Sequence, residues 1–249
     1  MVDNGGTKRI DIPTIPGASE GLTGEFAKPE GDGPWPGAVL VHEAFGINDV
    51  MRRQAERFAR AGYLAIMPDL FTEGGARKCL TQTFRDLASG TGRAFSDIES
   101  ARQLLLARPD CTGKVGVIGF CMGGGFALIA ATRGFEASSV NYGRLPKEID
   151  DVLGGACPIV ASYGAKDGSL RHAARKLDDS LSRLGIEHDV KEYPDAGHAF
   201  LNDAESGPPL LRFVMKRVIG IGPQPEAAKD AWRRIDTFFA EHLGASAGR

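Results

Sequence analysis

Short apolar runs closed by glycine or proline alternate along this chain with longer stretches whose apolar residues return every three or four positions. The short runs, at 38–42, 63–67, 115–118 and 158–164, are too brief for helices and too uniformly apolar for strands with one wet face. They predict strands buried on both sides. Weaker strand patterns lie at 22–27, 138–142 and 188–193. Between them the period changes. Val50, Ala55, Phe58 and Ala59 share one face of a helix expected over 49–61 and stopped by Gly62, and Ser96 with Glu99 forms a capping-box pattern before a helix over 97–107. Leu170, Ala174, Leu177, Leu181 and Leu184 mark a helix closed by Gly185, and Ala228, Trp232, Ile235, Phe238, Phe239 and Leu243 stripe a last helix over 225–243. This alternation predicts one α/β domain over residues 1–249, with a mainly parallel sheet covered by helices on both faces.

Three segments do not fit the alternation. Residues 1–20 read as an irregular N-terminal extension, and 68–92 as a polar, glycine-punctuated connection or part of a roof over a site. Residues 206–225 mix Leu, Phe, Val and Ile with Arg212, Lys216 and Arg217 between Pro/Gly clusters. A short amphipathic helix fits there, and 207–222 is a candidate flap near the active-site mouth.

Composition narrows the class. A net charge of −2 offers no basic footprint for nucleic acid or an anionic membrane, and no stretch approaches the length of a membrane span. The first residues lack the apolar centre of a signal peptide, so a cytoplasmic protein is expected. Cys79, Cys111, Cys121 and Cys157 are widely spaced, without the paired spacing of a zinc site, and are expected to be reduced. No metal or cofactor is expected: His42 lies inside a strand, His172, His188 and His242 have no ligand partners at suitable spacing, and no lysine follows the glycines at 123–125 as a phosphate loop would need.

The stretch richest in chemistry is Gly119-Phe120-Cys121-Met122-Gly123. It stands between a buried strand and an Ala/Leu-rich helix, and Gly-x-Cys-x-Gly has the spacing of a nucleophile elbow, a sharp turn that exposes the nucleophile while glycines leave room around it. A helix N-terminus behind the cysteine favours a thiolate and, later, an oxyanion. A glycine-rich turn packing a buried cysteine has the same pattern, so other residues must separate the two readings. Asp167 follows the strand at 158–164, and His198 follows the strand at 188–193. Nucleophile, acid and histidine thus fall at strand ends in the order of the α/β-hydrolase triad. Glu43 follows the strand at 38–42, where open α/β sheets place ligands, although a solvated loop acid would look alike.

Four strings carry a resemblance: Val41-His42-Glu43-Ala44-Phe45-Gly46, Gly119-Phe120-Cys121-Met122-Gly123-Gly124, Tyr163-Gly164-Ala165-Lys166-Asp167 and Gly197-His198-Ala199-Phe200. Together they resemble the signature regions of the dienelactone hydrolase (carboxymethylenebutenolidase) family of the α/β-hydrolase superfamily. The resemblance implies that Cys121, Asp167 and His198 are the triad, that Glu43 accepts the thiol proton when substrate binds, and that the backbone N–H groups of Ala44 and Met122 form the oxyanion hole. Phe45, Arg85, Arg93, Tyr142 and Ala199 are candidates to line the substrate pocket. Dienelactone-cleaving members have a serine after the catalytic histidine and an arginine three residues further on, where this chain has Ala199 and Asn202.

The function expected is cofactor-independent hydrolysis of small esters or lactones through a thioester on Cys121. An acyl transferase or peptidase could use the same triad, because acceptor choice is not written in these motifs. A non-catalytic thiol or binding module would need Asp167 and His198 to be incidental.

Overall fold

A computed structural model describes residues 6–207 and 215–244. Eight strands form one sheet in the order β1-β2-β4-β3-β5-β6-β7-β8. They are β1 (Lys8–Asp11), β2 (Thr23–Ala27), β3 (Trp35–Val41), β4 (Leu64–Pro68), β5 (Cys111–Phe120), β6 (Ser138–Asn141), β7 (Ile159–Gly164) and β8 (His188–Tyr193). From β4 to β8 all neighbours are parallel, while β1 and β2 form an antiparallel edge. This is the α/β-hydrolase fold, in which helices cover both faces because both faces of each central strand are apolar. The alternation is visible within single strands: Ala38 and Leu40 of β3 join one core cluster, and Val39 and Val41 join the other.

Helix α1 (Asp49–Arg60) and the C-terminal helix α7 (Pro225–Leu243) cover the first face, burying Met51, Ala55, Phe58, Trp232, Ile235 and Phe239 against it. Helices α2 (Ala76–Ser89), α3 (Arg93–Leu106) and α4 (Met122–Ala130) cover the second, where Phe95, Ile98, Leu105 and Phe126 meet Val39 and Val117. Over β6 and β7, α5 (Ile149–Leu153) and α6 (Ala173–Leu184) extend the cover through Leu153, Leu177 and Leu181. From β3 the chain goes to β4 on one side, while β5 to β8 follow on the other. The order therefore reverses between β3 and β5, the place where such sheets bind ligands at their carboxyl ends.

Several boundaries differ from the sequence pattern for local reasons. The expected irregular extension contains β1, which pairs Lys8 with Phe26 and Asp11 with Thr23. Of this edge strand Ile10 alone is partly buried against the core, too little to leave an apolar pattern. The polar excursion at 68–92 contains α2, whose buried residues are Cys79, Thr83 and Asp86, so it has no continuous apolar stripe to read. Helix α3 starts at Arg93 instead of 97, because the Asp86 carboxylate accepts from Ala94 N at 3.0 Å. Its first turn is capped from the preceding helix, and Glu99 pairs with Arg102 at 2.8 Å instead of closing a box with Ser96. Of the candidate flap, residues 208–214 lie outside the described residues.

The turn after β5 is seated by main-chain contact. A Cβ on Gly119 would lie 1.8 Å from the Gly123 carbonyl oxygen, and one on Gly123 would lie 2.0 Å from that of Val41. Gly119→Ala and Gly123→Ala are each expected to lower stability by about 3 kcal/mol or more in urea unfolding. Gly154→Ala, at a position with open space around it, should stay within about 0.5 kcal/mol of the parent.

Candidate active site

Strand register brings the site together. Val41 of β3 stands opposite Gly119 of β5, so Glu43 and Cys121, each two residues further on, leave the sheet at the same level. Gly164 of β7 stands opposite Tyr193 of β8, and the loops beyond them carry Asp167 and His198. All four residues gather at one end of the sheet because their strands are parallel.

Cys121 occupies the position before α4 with φ 56° and ψ −116°, a conformation that a non-glycine residue holds only when its surroundings enforce it. It is half-buried, and Met122 opens the helix behind it, where first-turn N–H groups have no acceptor inside the helix. The other cysteines differ. Burial pushes the Cys157 thiol up to about 12 and raises that of Cys111, and Cys79 is buried in α2. None of them stands at a helix N-terminus beside a base.

His198 is held at its main chain by Ile219 O, which accepts from its N–H at 3.0 Å, and by Gly222 N, which donates to its carbonyl at 3.0 Å. Its Nδ1 lies 2.5 Å from Asp167 Oδ2. A carboxylate only accepts, so Nδ1 carries the proton and Nε2, on the other side of the ring, is left available to the sulfur of Cys121. Burial opposes the imidazolium, but the sulfur of Cys121 and the Asp167 carboxylate outweigh it and push His198 up to about 10. Asp167 is buried, which by itself would raise its pKa. Its bonds to His198 and to the Ser169 N–H (3.0 Å) and hydroxyl (2.6 Å) instead hold it below the ordinary range.

Glu43 is 2% exposed. Its two oxygens accept from Asn202 Nδ2 and Ser206 Oγ, both at 2.9 Å. Burial raises its pKa, and these two neutral donors and the charge on His198 only partly offset that. The remaining neighbours are apolar or strained. Tyr142 (φ 42°) lays its ring 5.1 Å from that of His198, and its buried hydroxyl has no hydrogen-bond partner among the described residues. Ala199 follows His198 with φ 59° and is buried. Ala44 and Phe45 are half-buried beside Glu43, with the Phe45 ring against Gly207.

The sequence profile of the dienelactone hydrolase family matches residues 22–243, nearly the whole chain. The chain belongs to the dienelactone hydrolase family. The carboxymethylenebutenolidase of Pseudomonas putida is 30% identical over 213 residues, which cover 81% of this chain and 89% of that protein. A dienelactone hydrolase-like promiscuous phosphotriesterase from metagenomic libraries superposes with TM-score 0.76 at 25% identity, covering 96% of this chain and 100% of the other. The dienelactone hydrolase of Anabaena variabilis shares the fold at TM-score 0.69 and 22% identity, over 95% of this chain and 99% of its own.

Within this family framework the chain is a hydrolase, and among the described residues neither candidate arginine is bonded to the four gathered residues. Arg93, at the start of α3, bonds to the Ser19 hydroxyl and to Leu70 O and lies within 3.9 Å of Asp97 and 3.8 Å of Glu73. It fastens the N-terminal segment. Arg85 is exposed on α2. Sequence reasoning missed Ser169, Ser206 and the role of Asn202 as partners of the acids; Ser206 meets Glu43 from 163 positions away, and no local pattern could signal that. Among the described residues no cluster of His, Cys, Asp or Glu is arranged to hold a metal ion, and no helix is long and apolar enough to cross a membrane. Both ends of the segment around 208–214 are tied to the site, through Ser206 to Glu43 and through Ile219 and Gly222 to His198.

The raised pKa of Glu43 has a definite sign. Because the folded state holds this proton above the ordinary 4.5, ionising Glu43 costs folded stability as pH rises through the raised value. Glu43→Gln removes that cost. Its Tm by scanning fluorimetry is expected to exceed that of the parent at pH 8, with the gain shrinking as pH falls and gone below 4.5, where both states are protonated.

Proposed function

We propose that the protein hydrolyses small neutral esters or lactones through a thioester on Cys121. The observation that carries this reading is a single imidazole, fixed by Asp167 at Nδ1 and electrostatically coupled to a cysteine at a strained strand-to-helix turn. Asp167 and a thiolate on Cys121 favour the charged imidazole, so His198 keeps the proton that a leaving group needs when the thiol proton passes to a different acceptor. Glu43 is a buried base whose raised pKa suits it to that uptake, in line with the role the family resemblance implies.

In the first half-reaction the thiolate of Cys121 adds to the substrate carbonyl carbon, and the C=O π electrons move onto oxygen, toward the N–H groups of Ala44 and Met122. The oxyanion collapses, the C–O bond to the leaving group breaks, and His198 protonates the departing oxygen. A lactone opens here without losing any atoms. In the second, neutral His198 takes a proton from water as the hydroxide adds to the thioester carbonyl. Collapse expels the thiolate and leaves a carboxylic acid, and the thiolate recovers its proton from Glu43.

Substrate charge follows from the partners of Glu43. Asn202 stands where dienelactone-cleaving members carry a carboxylate-binding arginine, and its amide is spent on Glu43. Arg93 is occupied by Ser19, Glu73 and Asp97. Among the described residues, neither Asn202 nor Arg93 then offers a cation to a substrate carboxylate entering this partly dry site. Neutral esters are expected to show kcat/KM about tenfold above carboxylated analogues with the same leaving group, a difference of about 1.4 kcal/mol. A preference for the carboxylated substrate would overturn this assignment.

Cys121→Ala should remove turnover of aryl esters without altering the circular dichroism spectrum. Asp167→Asn should lower kcat by at least about 10²-fold, because it releases the imidazole from the orientation set at Nδ1. Wild-type rates in Cys121→Ala would rule out the mechanism.

A further inference from the structure

His42 is wholly buried directly before Glu43, in a position that reads as an ordinary strand residue. Its hydrogen bonds are not ordinary. Nδ1 lies 2.7 Å from the main-chain oxygen of Glu43, and Nε2 lies 3.2 Å from the main-chain nitrogen of Leu70, in the turn after β4. A carbonyl can only accept and an amide N–H can only donate, so Nδ1 carries the proton and Nε2 does not. The ring is therefore neutral and locked in one tautomer, with Phe71 packed on it edge-on at 4.8 Å between centroids. Burial, which lowers the pKa of His42, favours the same neutral form.

The consequence lies on the far side of the peptide group. A trans peptide is planar and rigid, so the carbonyl of Glu43 and the N–H of Ala44 are opposite edges of one unit. Holding the carbonyl aims the N–H. Two donors hold that carbonyl, Gly46 N at 3.0 Å and His42 Nδ1 at 2.7 Å, and the histidine is itself braced by Leu70. We propose that His42 is a positioning residue of the oxyanion hole: it clamps the Glu43–Ala44 peptide so that the Ala44 N–H faces the substrate oxygen as charge develops on it. The proposal rests on the reading of Cys121 as acyl nucleophile and of Ala44 as an oxyanion donor. It adds a residue that touches neither substrate nor reacting atoms.

The test separates oxyanion formation from thiol reactivity. His42→Leu, His42→Asn and His42→Gln are compared with the parent for turnover of p-nitrophenyl butyrate, for inhibition by a trifluoromethyl ketone whose sulfur adduct carries an oxyanion, and for alkylation of Cys121 by iodoacetamide. Alkylation displaces iodide at a saturated carbon and creates no oxyanion. In His42→Leu, kcat should fall about 10- to 100-fold, less than or comparable to loss of a whole donor, with KM within about threefold. Affinity for the ketone should fall by the same factor, and the alkylation rate should not change. Asn presents an amide nitrogen near the place of Nδ1 and Gln near that of Nε2, so His42→Asn should recover most of the lost kcat and His42→Gln should not. Should the leucine variant fail to fold, the Asn and Gln pair decides alone. Unchanged kcat in His42→Leu, parallel loss of turnover and alkylation, or equal rates in His42→Asn and His42→Gln would each overturn the proposal. Parent activity that survives complete alkylation of Cys121 would remove the nucleophile reading beneath it, a failure distinct from that of His42.

Discussion

Gly123 passes so close to the Val41 carbonyl that no side chain fits between them, and this contact ties the turn carrying Cys121, the proposed nucleophile, to the end of β3. Much of the site depends on it. Strand pairing of Val41 with Gly119 sets the level at which Glu43 and Cys121 leave the sheet, and the glycine contact sets how closely the two departures approach. The two proposed oxyanion donors, Ala44 and Met122, then lie on main chain fixed from both sides. Main-chain donors held by packing need no reorganisation as charge develops, which is where electrostatic stabilisation is most effective. His42 continues the same logic outward, linking the loop after β3 to the turn after β4.

Two buried carboxylates at this end of the sheet are driven in opposite directions by their partners. Asp167 faces an imidazole and two donors from Ser169, which together outweigh its burial and keep it ionised. Among the described residues Glu43 has two neutral donors and the charge of His198 to favour its ionised form, and burial prevails. Such a divergence suits one acid to hold and orient and the other to exchange a proton. Asn202 is central to the second environment. An arginine in its place would stabilise the Glu43 carboxylate more strongly than the neutral amide does and would offer a charge to the substrate; the asparagine donor leaves burial to prevail at Glu43 and supplies no charge.

How much of this could be read from the chain depended on the range of the interactions. Parallel buried strands leave uninterrupted apolar runs, and the glycines of the turn at 119–123 are a local necessity of close packing, so the fold and the positions of Cys121, Asp167 and His198 at strand ends were accessible from the sequence. Helix α2 was not, because its packed face mixes Ala76, Leu80 and Leu87 with the buried polar Thr83 and Asp86. The true start of α3 depends on Asp86, eight positions before the N–H it caps. Edge strand β1 is exposed apart from Ile10 and held by main-chain bonds. The partners of Glu43 come from 159 and 163 positions away, and the commitment of Arg93 to Ser19 joins segments 74 apart. Contacts of this kind carry no periodicity, and only the folded chain reveals them.

The claim on which the rest stands is that catalysis passes through a covalent acyl group on the Cys121 sulfur. Mixing the protein with excess p-nitrophenyl butyrate, quenching in acid within the first turnovers and mapping peptides by mass spectrometry tests it most directly. The expected result is one butyryl group per chain, on the peptide containing Cys121, labile to hydroxylamine as a thioester is, and absent from Cys121→Ala. Steady turnover with no acylated peptide, or with the acyl group on another residue, would contradict it.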